Sequence, residues 1–136
     1  MKSIVLDTNK LFSCLVSKNS AIRETIFSSP ELKFYTCKFC IVELFKHKNK
    51  LTKCSALSED ELIEVFYKLL KSIHIYDENT ITPDHWQTAI DLCSGVDEKD
   101  SVFVALTLQL KAKLWTGDVK LINGLTAKGF TDFHHH

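Results

Sequence analysis

The chain has 136 residues, 45% of them hydrophobic and 25% charged, which fits one globular domain with its own core and argues against two. Seventeen basic residues balance seventeen acidic ones, so no overall positive field marks a nucleic-acid binder, and any such function must rest on a local patch. No run approaches the ~18 uninterrupted apolar residues of a membrane span, and Met1-Lys2-Ser3 passes straight into a strand-like run without signal-peptide features. Five cysteines, an odd number, favour reduced thiols. The expectation is a soluble, cytoplasmic protein with no membrane segment. His134-His135-His136 reads as the remnant of a purification tag, leaving residues 1–133 as the domain.

Ser3-Ile4-Val5-Leu6 is a short apolar run rich in β-branched residues, followed by Asp7-Thr8-Asn9, which favour a turn or helix start. Apolar residues at Leu11, Phe12, Leu15 and Val16, then at Ile22, Ile26 and Phe27, predict two short helices, stopped before Pro30. Lys33 to Cys37 predicts a second strand, and Phe39 to Leu51 one helix, with Glu43 near its beginning. Ser58-Glu59-Asp60-Glu61 is a capping box, in which the Ser hydroxyl and Glu carboxylate satisfy free backbone N–H groups. Leu62, Val65, Phe66, Leu69 and Leu70 then line one helical face.

Ile73 to Tyr76 predicts a third strand. Thr82-Pro83 opens a helix that Gly95 closes. Asp97 is placed as the cap of a helix holding Val102, Phe103, Ala105, Leu106 and Leu110, which leaves Asp100 free in its first turn. Lys113 to Thr116 is a fourth strand, Thr116-Gly117-Asp118 its exit loop, and Phe130 to Phe133 a marginal fifth strand after a helix ending at Gly129. Strands alternating with helices, without hairpin signals, predict an α/β fold with a parallel sheet covered on both faces.

In such sheets ligands bind beyond the carboxyl ends of the strands, where strand order reverses. Asp7 and Asp118 each end a strand, Glu43 lies early in the helix after the second strand, and Asp100 early in the helix before the fourth. Glu43 stands between Val42 and Leu44 in an apolar stretch, where a buried carboxylate needs a partner or a metal. Gathered carboxylates repel one another unless a hard cation compensates, and oxygen-only ligands suit Mg²⁺ or Mn²⁺. The chemistry implied is phosphodiester hydrolysis: one ion would lower the pKa of a water, and a second would stabilise the departing oxygen.

Through these residues the sequence resembles the PIN-domain ribonuclease family. The likeness is carried by Ile4 to Asn9, Ile41-Val42-Glu43-Leu44, Asp100 to Leu106 and Leu114 to Asp118, whose order and spacing are strong together. It implies a three-layer α/β/α fold with a parallel sheet of four to five strands in order 3-2-1-4-5. It also implies Mg²⁺- or Mn²⁺-dependent cleavage of RNA, with Asp7, Glu43, Asp100 and Asp118 as metal-binding acids and Thr116 positioning the last of them. Many members of the family are toxins held by a small antitoxin protein, and many are homodimers. Lys120 stands where many relatives carry an acidic or amide residue, and the long segment between Glu43 and Asp100 resembles a subgroup with fuller helical cover.

Lys46, His47, Lys48, Lys50 and Lys53 follow Glu43 on the predicted helix without an acidic residue among them, a strip on which an RNA backbone could run. A merely solvated helix face is the other reading. Arg23 is the only arginine, so bidentate guanine readout is nearly absent. Cys37-Lys38-Phe39-Cys40 is half of a zinc site, a redox pair or, the reading favoured by its apolar neighbours, two buried structural thiols. Trp86, Trp115, His74 and His85 read as packing residues. Haloacid-dehalogenase-like chemistry needs a proton-transferring acid two places after Asp7, where Asn9 stands. A non-catalytic RNA- or protein-binding module of the same fold is the remaining alternative, and it would not respond to Mn²⁺.

Overall fold

The computed structural model describes residues 2–135. Met1 and His136, the last of the three terminal histidines, lie outside the described residues. Four strands, β1 (Lys2–Leu6), β2 (Leu32–Cys37), β3 (Ile73–Tyr76) and β4 (Lys113–Trp115), pair in parallel in the order β3-β2-β1-β4. Ile4, Val5 and Leu6 are all fully buried. Successive side chains of a strand point to opposite faces, so both faces of β1 are covered, as parallel sheets require.

Helices α1 (Thr8–Val16) and α2 (Ala21–Ser28) follow β1. Helices α3 (Lys38–Lys46), α4 (Lys48–Cys54) and α5 (Glu59–Ser72) connect β2 to β3, α6 (Pro83–Cys93) and α7 (Ser101–Leu110) connect β3 to β4, and α8 (Val119–Ala127) follows β4. Their ends follow local chemistry. Ser20 and Thr82 accept from Arg23 N and His85 N, and Ser58 and Glu61 form the reciprocal box. Arg23 secures the end of α1: its guanidinium donates to Cys14 O at 2.9 Å, to Lys18 O at 3.1 Å and to Ser17 O.

Helix α7 is apolar on every side, and Ser101 through Thr107 are all buried. Such a helix belongs at the centre, and α7 packs against β1, β2, β4 and α6. Trp115 also sits in the core at 2% exposure, its ring 6.3 Å from that of Phe34. His74 packs its ring 5.1 Å from Tyr35, and His85 Nδ1 lies 2.8 Å from both Thr82 Oγ1 and Gln109 Oε1. No helix among the described residues is long and apolar enough to cross a membrane.

The structure corrects three expectations. The fifth strand contracts to one bridge, Leu114 to Phe133. A tight turn, Phe133 N to Thr131 O at 2.9 Å, interrupts the ladder, and buried Phe130 and Phe133 anchor the segment by packing instead. The single helix expected from Phe39 to Leu51 is divided at His47, which ends α3 and begins α4. Lys46 and Lys50 stand four apart, a repulsive pair on a continuous helix, and the break still seats Leu51 in the core at 7% exposure. The stretch around Glu43 is also not a buried run, because Phe39, Val42 and Phe45 are 46%, 53% and 69% exposed.

Candidate active site

Strand order reverses between β1 and β4, since β2 and β3 are added on one side of β1 and β4 on the other. The last paired residues are Leu6 and Trp115, so Asp7 and Thr116 leave the sheet side by side. The Thr116 hydroxyl donates to Asp7 Oδ2 at 2.6 Å and accepts from Asp118 N at 3.1 Å. One side chain thereby ties the acid after β1 to the loop after β4. Asp7 Oδ1 accepts from Lys10 N at 2.9 Å and caps α1, while Asp118 Oδ1 accepts from Leu121 N at 3.1 Å and caps α8.

Glu43 comes from α3, whose buried face is Cys40 and Leu44. Its Oε1 accepts from the Thr8 hydroxyl at 2.9 Å. Asp97 Oδ1 accepts from Lys99 N at 3.1 Å and caps the 3-10 turn Glu98–Asp100. Asp100 stands at the N-terminal boundary of α7 without making a capping bond. Asp7, Glu43, Asp97, Asp100 and Asp118 all line one cleft of 620 Å³, together with Asn9, Phe12, Lys46, His47, Lys50 and Lys99.

The field inside the cleft is negative. Asp100 is pushed up to about 7, first by burial and then by Asp97, Asp7, Asp118 and Glu43. Asp7 is also raised, because burial outweighs the hydrogen bonds from Thr116 and Lys10 and the charge of Lys10. No lysine of the described residues lies at ion-pair distance from these carboxylates; the pair Lys38 Nζ–Asp77 Oδ2, at 3.5 Å, is elsewhere. Asp97, Asp100 and Asp118 each offer an oxygen, and these atoms lie within 4.8 Å of one another. An all-oxygen set with surplus negative charge fits a hard divalent cation.

All four acids read from the sequence reach the cleft, but the closest group differs from the expected one. Asp97 joins Asp100 and Asp118, while Asp7 and Glu43 stand outside that tightest set. Asp97 does form a cap, as expected, and its carboxylate also faces the cluster; the three-residue spacing from Asp100 was the available signal. Lys46 and Lys50 line the cleft. Lys48 does not: beyond the break at His47 its ammonium lies 4.7 Å from the centre of the Phe45 ring. Lys99, Thr8 and Phe12 were absent from the expected site because nothing in their local sequence distinguishes them.

Cys37 and Cys40 are buried and unbridged, and burial pushes their thiols up to about 12 and about 11. Among the described residues no group of three or more metal-ligating side chains gathers around the pair.

No curated protein matches the sequence. A family model of the PIN domain, a nuclease-type fold, matches residues 5–136, a span that includes every acid of the cleft. With a sheet in order 3-2-1-4 and acidic residues gathered at its reversal point, the chain belongs to the PIN domain family.

Proposed function

We propose that the protein is a metal-dependent endoribonuclease that hydrolyses RNA phosphodiester bonds with Mg²⁺ or Mn²⁺. The observation that carries this reading is the convergence of five carboxylates in one cleft, with no lysine of the described residues at ion-pair distance from any of them. Asp97, Asp100 and Asp118 would hold the ion, with Asp7 and Glu43 kept nearby by the hydroxyls of Thr116 and Thr8. When bound, the ion would activate water for attack on phosphorus and offset charge on the phosphate. Lys46, Lys50 and Lys99 would draw the RNA backbone to the cleft rim.

The same reading extends to a cytoplasmic, homodimeric protein serving as the toxin of a toxin–antitoxin pair. Sedimentation of the purified chain tests the dimer, and relief of growth arrest by a small co-expressed neighbour tests the antitoxin. The decisive experiment for catalysis is cleavage of a labelled RNA by wild type and Asp100→Asn across a Mn²⁺ titration. Wild type should require the ion, and the variant should lose at least about 100-fold in rate, the scale of one lost electrostatic contact in a reaction centre. Equal, metal-independent activity in both proteins would eliminate the proposal.

A further inference from the structure

Beside the carboxylate cleft lies a second cavity, of 530 Å³, that shares Phe39 and Lys99 with it. Phe39 and Val42 of α3, Trp86 of α6 and Val102 of α7 give it apolar surface, and Lys38, Glu78, Asn79, Glu98 and Ser101 complete its lining. Phe39 and Val42 remain about half exposed although the core is close by, and Trp86 is only partly buried. Pockets of this size that combine apolar and aromatic surface with polar groups suit small-molecule ligands.

We propose that this cavity is a subsite for an unpaired nucleobase next to the scissile phosphate; the inference rests on the nuclease reading and deepens it. Continuity with the cleft supports this occupant. Lys99 lies between Asp97 and Asp100 in sequence and lines both spaces, so a phosphate joining the base to the reacting position would meet its ammonium. Phe39 and Trp86 offer aromatic surface for stacking, which tolerates any base, and Asn79 can donate to or accept from a base edge. A base within a duplex cannot enter without being unpaired and unstacked.

Trp86 provides a readout independent of cleavage, because the other tryptophan, Trp115, is 2% exposed. Adenosine titrated into EDTA-treated wild-type protein should quench tryptophan fluorescence. Trp86→Phe should abolish the response, and Val42→Asp, at an exposed position, should weaken it. With Mn²⁺, an RNA carrying an abasic nucleotide beside the scissile phosphate should be cleaved about tenfold more slowly, the scale of one base–aromatic stack. Trp86→Ala should lose a similar factor on intact RNA and little more on the abasic strand. Normal cleavage with neither quenching nor an abasic penalty would overturn the subsite. A signal that follows protein concentration rather than adenosine would also overturn it, since a second copy would then cover the face. Absence of cleavage on every RNA would instead defeat the nuclease reading, with the adenosine titration still deciding the cavity.

Discussion

Thr116 is a small residue with two obligations: its hydroxyl donates to Asp7 and accepts from the backbone of Asp118. Thr116→Val keeps the shape but leaves a buried carboxylate oxygen without its donor, a loss that raises the Asp7 pKa further. About tenfold loss of activity is expected, with the acidic limb of the pH–rate profile moved to higher pH and Thr116→Ser restoring both. An unchanged pH profile would show that the hydroxyl is structural only.

Asp100 has a second consequence. Its carboxyl is held near 7 in the fold against an ordinary value of 3.8, so between those values the native state binds the proton more tightly than the unfolded chain. Stability without metal must therefore fall as pH rises from about 4 to about 7 and level off above that. A cation needs the ionised carboxylate, so its binding weakens below pH 7 and releases protons. Thermal melts in EDTA should show a lower transition at pH 8 than at pH 5 from this contribution, with Asp100→Asn reducing the difference. Mn²⁺ should raise the transition more at pH 8 than at pH 5.

At the scale of elements, α8 approaches the loop after α6 through Gly124. A methyl group added there would lie 2.5 Å and 2.7 Å from the two Val96 methyls. Alanine gains ~1 kcal/mol over glycine in a helix, but overpacking against a stiff β-branched neighbour costs about 1–3 kcal/mol. Gly124→Ala should therefore destabilise the protein by about 1 kcal/mol in denaturant unfolding, and Val96→Ala combined with it should recover the loss. The capped helices α5 and α6 were legible because their start signals act within one turn. The division of α3 from α4 was not: a row of polar residues specifies no partner, and Leu51 reaching the core is a matter of packing.

For the molecule as a whole, equal numbers of basic and acidic residues leave no long-range field to attract RNA. Recognition then depends on Lys46, Lys50 and Lys99 at the cleft rim. Three phosphate contacts on a single strand imply a log–log salt slope near about −2, so affinity should fall roughly 20-fold between 50 and 200 mM salt. Fluorescence anisotropy with a labelled single-stranded RNA measures this slope, and Lys50→Ala should reduce it by about 0.7. A slope unaffected by that substitution would place the backbone elsewhere.

Local signals were enough to establish the α/β class, the first four strands, most helix ends and the acids that follow β1 and β4, because strand alternation, caps and strand-end polarity act over a few neighbouring residues. Tertiary structure alone decided that Asp97 joins Asp100 and Asp118, that Lys50 faces the cleft while Lys48 turns away, and that a fifth strand shrinks to one bridge. It also brought Phe39 and Trp86 to one cavity. Those outcomes depend on strand register and on how helices rotate as they pack, and both are set by contacts between residues far apart along the chain.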